Sequence, residues 1–122
     1  MQRFSKRQRL LNACDYQWVF DNPSLRASHP NILLLAKHNR FEHPRLGLVI
    51  SKKNIKLACQ RNRVKRLVRE SFRTQQDILG NIDVIVLARR NLDQLSNPEL
   101  HKLLNKQWQR LVKSAAKHKQ TS

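Results

Sequence analysis

The strongest constraint on the fold is the apolar run NIDVIVLA, which extends from Asn81 to Ala88. Its length and its β-branched residues are typical of a strand, and its apolar character predicts a buried position. Two further runs of strand length, NILLLAKH from Asn31 and RLGLVIS from Arg45, are joined by the turn residues NRFEHP and predict a hairpin. The polar residues 24–29 predict a short strand or a loop.

The first predicted helix begins after Asn12, a residue that can cap it, and ends before Pro23. Tyr16, Val19 and Phe20 have the i, i+3, i+4 spacing that places side chains on one helix face. Aromatic residues on such a face either belong to the core or form a platform on which single-stranded RNA stacks. Both interpretations of the two aromatic residues stay open at this point.

The last predicted helix begins at a capping box formed by Ser96 and Glu99 and runs to about Lys117. Its buried stripe comprises Leu100, Leu103, Leu104, Trp108, Leu111 and Val112. With a basic helix from Ala58 to about Ile78, the order is helix, two or three strands, helix, strand, helix. This order predicts an α+β fold, a small sandwich with helices against one face of a sheet. We expect one domain over 1–122, with flexible ends at 1–11 and 118–122.

The basic helix from Ala58 has apolar residues on one side and cations on the other. At 100° per residue, the core side comprises Val64, Leu67, Val68, Ser71 and Phe72. The opposite side and its two boundaries comprise Arg61, Asn62, Arg63, Lys65, Arg66, Arg69 and Arg73. Glu70 is the lone acid from Ala58 to Arg73. Lys65 and Arg69, and likewise Arg69 and Arg73, are like charges at i, i+4, and each such pair destabilises a helix by about 0.2–0.5 kcal/mol. This single-sign face predicts a polyanion partner, for which the planar guanidinium groups are suited to phosphate. Asn62 can contact a sugar or a base edge, or cap the helix.

The composition agrees with such a partner. Lys and Arg number 25 and Asp and Glu number 8, which gives a net charge of +17. Nucleic acid and an anionic membrane surface are the polyanions that such a charge suits. No apolar run approaches the roughly 18–20 residues of a membrane-spanning helix, and no signal sequence is recognisable. We therefore expect a cytoplasmic protein that binds nucleic acid.

Residues for independent catalysis are not apparent in the sequence. The acids are scattered, with only Asp77 and Asp83 near a pairing, and no histidine lies in an HExxH motif. Cys14 and Cys59 are far apart and predict two reduced thiols. A nuclease built from scattered histidines remains an alternative.

The lysines of the SKKN segment, Lys52 and Lys53, either reach a groove on the sheet or only keep a loop soluble.

The stretch HPRLGLVISKKNIKLACQRNRVKRLVRESFR, from His43 to Arg73, resembles the protein subunits of bacterial ribonuclease P. It contains the Arg61-Asn62-Arg63 core of that family's motif. The segments RLLNACDYQWVF and NIDVIVLA resemble other family segments in the same order, so the resemblance covers nearly the whole chain.

The resemblance implies a mostly antiparallel sheet with one parallel pair of strands and a left-handed crossover around the motif helix. It implies a subunit of an endoribonuclease whose RNA component is the catalyst. That RNA uses magnesium ions to remove the 5′ leader of precursor tRNA, so the protein would carry no catalytic residue and no metal. We expect one protein per ribonucleoprotein.

The resemblance also implies two sets of site residues. Arg61, Asn62, Arg63, Lys65, Arg66, Arg69 and Arg73 would face the catalytic RNA. Tyr16, Phe20, Lys52 and Lys53 would line a cleft for the leader. Tyr16 departs from the phenylalanine common at its position, a change that preserves stacking. The competing hypothesis is a structural RNA-binding protein such as a small ribosomal protein, from which the long motif and the aromatic cleft would distinguish this chain.

Overall fold

Four strands and four helices make up the fold in the computed structural model, which describes residues 13–21, 23–39 and 43–120. For 13–15 and 115–120 it describes the backbone alone. In chain order, the elements are α1 (Ala13–Asp21), β1 (Leu25–His29), β2 (Ile32–His38), β3 (Arg45–Val49), α2 (Ala58–Thr74), α3 (Gln76–Leu79), β4 (Ile82–Ala88) and α4 (Asn97–Gln120). A short 3-10 turn, Leu92–Gln94, precedes α4. The predicted cap Asn12 lies outside the described residues, as do 1–11.

The strands form one sheet in the order β1-β2-β4-β3. β4 pairs antiparallel with β2, where Leu34 lies opposite Val86, and parallel with β3, where Leu48 lies opposite the same residue. The hairpin predicted between β2 and β3 is therefore wrong, because β4 lies between them. The continuous apolar character of β4 explains this order, since a central strand is covered on both faces. The parallel pair that the resemblance implies is confirmed, and the left-handed crossover stays a prediction.

Helices cover both faces of the sheet. Alternate residues of β2 and β4, such as Leu34 and Val84, face the main core, which α2 and α4 complete. Leu35 and Ile85 point to the other face, where they form a smaller cluster with Val19 of α1. The expectation that the helices lie against a single face is therefore wrong for α1. The side-chain period of two explains the result, because both faces of the two central strands are apolar.

The motif helix α2 is fixed to α4 by a polar contact and an aromatic contact. Its buried residues include Val64, Val68, Ser71 and Phe72, all on the predicted core side. The indole Nε1–H of Trp108 donates to Ser71 Oγ at 2.7 Å. The rings of Phe72 and Trp108 meet edge to face, with centroids 6.0 Å apart. These contacts fix the rotation of α2 about its axis, and thereby which residues face outward.

The predicted helix ends differ from the observed ones in two places. α2 ends at Thr74, and a separate turn of helix, α3, ends at Leu79, so the single helix predicted to about Ile78 is interrupted. α4 begins at the predicted capping box, in which Ser96 N–H donates to Glu99 Oε1 at 3.0 Å. It extends three residues beyond Lys117. No helix in the described part of the chain is long and apolar enough to span a membrane.

Candidate nucleic-acid interface

The outward side of α2 carries the predicted RNA-binding residues, which we name the motif stripe: Arg61, Asn62, Arg63, Lys65, Arg66, Arg69 and Arg73. Asn62 and Arg66 are exposed, and the other five are half-buried. Leu57 precedes the first turn of α2, so Asn62 lies inside the helix and does not cap it. The cap alternative for this residue is therefore removed, and contact with a sugar or a base edge remains.

Arg61 and Arg63, at the N-terminal end of the stripe, make hydrogen bonds within the protein. The Arg61 guanidinium donates to the carbonyl oxygens of Ile55 and Lys56, at 3.0 and 2.8 Å. Arg63 donates from Nε to Gln60 Oε1 at 2.8 Å. Its NH1 and NH2 groups make three further bonds, to residues in the segment before α4 and to the first residue of α4. The acceptors of those three bonds are Asn97 Oδ1, Asp93 O and Leu95 O, at 2.6, 3.1 and 3.1 Å.

These contacts use four of the five N–H donors of Arg63 and tie α2 to the start of α4. In this conformation Arg63 is a structural clamp, which the sequence pattern did not reveal. Three of its four acceptors lie 30 to 34 residues away in the chain, beyond the reach of a helical periodicity. The predicted contact of Arg63 with RNA stays a prediction.

Arg73, at the other end of the stripe, pairs with Glu70 on the same helix. Its Nε donates to Glu70 Oε2 at 3.2 Å, and NH2 pairs with Oε1. The hydrogen bond from Arg73 lowers the pKa of Glu70, and the same bond raises the pKa of Arg73. Both side chains are accessible to water, so this pair adds little stability and leaves the stripe strongly positive.

Asp83, one of the two acids noted near a pairing, has a structural partner. It is fully buried and accepts two hydrogen bonds from Arg45, at 2.8 and 2.6 Å, and one from Asn39 Nδ2 at 2.8 Å. Asp77 is exposed. Within the ranges that the structure describes, no three His, Cys, Asp or Glu side chains are grouped so that they could hold a metal ion.

The predicted leader cleft lies on the face of the sheet that α1 covers. Tyr16 is half-buried beside Val19, and its hydroxyl accepts a hydrogen bond from Leu48 N–H of the edge strand β3 at 3.2 Å. Phe20, one turn further along α1, is 40% exposed and therefore does not belong to the core. Tyr16 has a partly structural position, whereas the ring of Phe20 is accessible to a ligand.

Lys52 and Lys53 are both exposed, in a turn that follows β3. β3 ends at Val49, so the two lysines do not continue the strand. Asn54 fixes the turn by donating from Nδ2 to Ala88 O at 2.9 Å. The buried Ile55 follows, so this turn is attached to the end of β4 rather than free.

A third aromatic residue on α1 was not assigned to either set of predicted site residues. Trp18 is 41% exposed, and Lys37 of β2 lies over its ring, with Nζ 4.4 Å from the centroid. This cation–π contact covers part of the indole. The alternation of β2 places Lys37 on the same sheet face as Leu33 and Leu35, but only the packing of α1 brings it to Trp18.

The sequence model of the Ribonuclease P family matches residues 4–112 of this chain. The chain belongs to the ribonuclease P protein family. The ribonuclease P protein component of Pseudomonas aeruginosa is 51% identical to it over 111 residues, which cover 91% of this chain and 82% of that protein. The corresponding protein of Pseudomonas putida is 49% identical over 113 residues, which cover 93% and 85% of the two chains.

Solved structures of the family agree with the fold. The RNase P protein of Thermotoga maritima is 26% identical, with a TM-score of 0.71 over 83% of this chain and 96% of that one. The RNase P protein of Staphylococcus aureus shares the fold with a TM-score of 0.77, at 24% identity over 84% and 93% of the two chains.

Membership of this family confirms the predicted function, which is that of a protein subunit of ribonuclease P, an endoribonuclease of tRNA processing. Its partner is ribonuclease P RNA. The alternative of a small ribosomal protein is thereby set aside.

Proposed function

We propose that the motif stripe of α2 binds the catalytic RNA of ribonuclease P. The observation that carries this proposal is a helix whose one side is packed into the core through Val64, Val68 and Phe72 while its other side carries cations. Neutralising RNA phosphates with these cations releases counterions and offsets the repulsion along the helix. Arg66 is an exposed member of the stripe and a direct candidate for a phosphate contact.

We further propose that α1, β3 and the turn after β3 hold the 5′ leader of precursor tRNA. Phe20 offers an exposed ring for stacking on a base, and Lys52 and Lys53 supply positive charge to the phosphates. Tyr16 contributes mainly by position, because its hydroxyl fastens α1 to the edge of the sheet. The protein would thus hold the substrate while the RNA performs the cleavage.

The magnesium ions of the reaction belong to the RNA in this proposal, and we assign no catalytic residue to the protein. We propose one protein per ribonucleoprotein and a cytoplasmic location. The independent-nuclease alternative predicts cleavage of precursor tRNA by the protein and magnesium alone. Cleavage without any RNA subunit would refute the division of labour.

The motif stripe is tested by replacing Arg66 and Arg69 by Ala. We expect weaker binding of the catalytic RNA and a salt dependence, log K against log salt concentration, whose slope falls by about two, or about one per lost phosphate contact. The matched control is the pair Arg26→Ala and Lys113→Ala, which removes the same charge from two exposed positions outside the stripe. Equal losses in the two variants would refute a specific role for the stripe.

The leader site is tested by Phe20→Ala in the assembled ribonucleoprotein, with Trp18→Ala as the matched control of similar exposure on the same helix. A lost base–aromatic stack of about 1–3 kcal/mol corresponds to roughly 5–150-fold weaker binding of precursor tRNA. Binding of mature tRNA, which lacks the leader, should be unchanged. If mature tRNA binding fell as much as precursor binding, the leader assignment would be wrong.

A further inference from the structure

The outward face of α4 carries a second run of cations that the proposed function does not use. Lys102, Lys106 and Arg110 follow one another at i, i+4 spacing, and all three are exposed. As on α2, such like-charged neighbours destabilise the helix. A second helix with the same unfavourable arrangement indicates a second anionic contact.

A depression of about 490 Å³ lies between α4 and the turn that joins β1 to β2. It is lined by His29, Asn31, Leu95, Glu99, Lys102, Leu103 and Lys106. Polar side chains from two separate elements therefore line one concavity, together with Leu95 and Leu103. Glu99 offsets the charge of one of the two lysines, so the charge of the other lysine is not compensated within the lining.

The β1–β2 wall of this depression is held in place by two arginines. Arg89 donates from NH1 to Ser28 Oγ and to His29 O, at 3.2 and 2.9 Å. Arg110 donates from NH1 to Ser28 O at 2.7 Å, which ties the turn to α4. The two walls are thus connected, and a ligand would meet a preformed surface.

His29, which lines the depression, has one of its two ring nitrogens engaged within the protein. Its Nδ1 accepts the backbone N–H of Asn31 at 3.1 Å. In the neutral ring the proton is therefore on Nε2, which can donate to a phosphate oxygen. Lys102 and Lys106 add two ammonium groups, which suit a phosphate as point charges without base specificity.

The depression adjoins the motif stripe without being part of it, because Leu95, one of its lining residues, accepts a hydrogen bond from Arg63 at its carbonyl oxygen, at 3.1 Å. α4 packs against both α2 and β1, whereas α2 packs against β3, at the edge of the sheet opposite to β1. α1 and the predicted leader cleft lie on the other face of the sheet.

We propose that the depression between α4 and the β1–β2 turn is a third RNA-binding surface, which holds backbone phosphates through Lys102, Lys106 and His29. The contact is independent of the RNA sequence, because these three groups bind phosphate oxygens and none of them reads the edge of a base. This inference rests on the proposed function, since it takes ribonuclease P RNA and precursor tRNA as the two possible sources of the phosphates.

The test replaces Lys102 and Lys106 by Gln in the full chain and compares the variant with Arg26→Gln/Lys113→Gln. The control loses the same charge at exposed positions that do not line the depression. One arm measures binding of the catalytic RNA alone as a function of salt. The other arm measures binding of precursor tRNA by the assembled ribonucleoprotein.

In one arm, we expect the Lys102→Gln/Lys106→Gln variant to bind RNA roughly two- to thirtyfold more weakly than its control. The slope of log K against log salt concentration should also be lower by about two. The arm that changes identifies the RNA that supplies the phosphates. Lys102→Arg/Lys106→Arg should retain the binding, since the charges are kept. Equal behaviour of the Gln variant and its control in both arms would overturn the inference. Failure of the parent protein to bind the catalytic RNA would instead overturn the proposed function.

Discussion

Replacing Asp83 by Ala should destabilise the protein more than a typical substitution. The carboxylate is fully buried, and the Arg45 side chain that it binds is only 14% exposed. The two residues lie side by side on the parallel strands β4 and β3. Removing the acid leaves a buried guanidinium, and the side chain of Asn39, without this acceptor.

Breaking a buried ion pair by removing one partner costs about 3–5 kcal/mol, because the remaining charge stays desolvated. A domain of this size has a total stability of about 5–15 kcal/mol, so the loss is a large fraction. With a urea m-value of about 1–3 kcal/mol per M, the unfolding midpoint should fall by roughly 1–5 M. Asp83→Asn retains the shape and one acceptor oxygen, and should fall between Asp83→Ala and the parent.

The measurement is urea unfolding followed by far-UV circular dichroism, which also reports whether each variant is folded at the start. The double variant Arg45→Met/Asp83→Leu removes both charges and should be closer to the parent than Asp83→Ala, because no guanidinium then remains without the carboxylate that it binds in the parent. A loss below 1 kcal/mol for Asp83→Ala, or a double variant as unstable as the single one, would refute this reasoning.

Three other perturbations have equally specific outcomes. Ser71→Ala should cost about 1–3 kcal/mol in unfolding followed by tryptophan fluorescence, because the buried indole N–H of Trp108 loses its acceptor; a neutral effect would contradict the contact. Gly80→Ala should also cost about 1–3 kcal/mol in chemical unfolding, because φ 71° and ψ −147° are strained for any residue with a Cβ. Nothing lies within 4 Å of the added Cβ, so the cost comes from the backbone conformation and not from a steric clash. Hydrogen bonds from Ser96 lower the pKa of Glu99, so its contribution to stability is present above the unfolded pKa and is lost as pH falls through the folded pKa. Ser96→Ala keeps the backbone N–H that makes the larger contribution, so it should reverse only part of the lowering; an NMR titration of the parent in which the Glu99 pKa was not below that of an ordinary glutamate would disprove the cause.

Local patterns predicted the secondary structure because they record which face of each element is buried. The helix period located the core side of α2, and Val64, Val68 and Phe72 are indeed buried. The capping box placed the start of α4 through hydrogen bonds that span only three residues. Strand pairing was harder, because β2 and β3 each bind β4 rather than each other, a choice made by contacts far apart in the chain.

The positions of the candidate site residues, like the secondary structure and the strand pairing, were predicted only in part. The outward position of the motif stripe follows from the helix period, and this part is confirmed by the exposed Asn62 and Arg66. The clamp made by Arg63 could not be predicted, since its carbonyl acceptors lie in the segment before α4. The same holds for Lys37, which reaches Trp18 only because α1 packs across β2.

The sequence by itself determined the elements, the cationic face of α2 and the family, because apolar periodicity and a long motif are properties of the chain in one dimension. The tertiary structure decided which cations remain available. A guanidinium such as Arg63 has the same charge wherever it lies, but its donors can be used by carbonyl groups that only folding brings near. Folding likewise decided that α4 and the β1–β2 turn enclose a second cationic surface, since its two walls are about 70 residues apart in sequence.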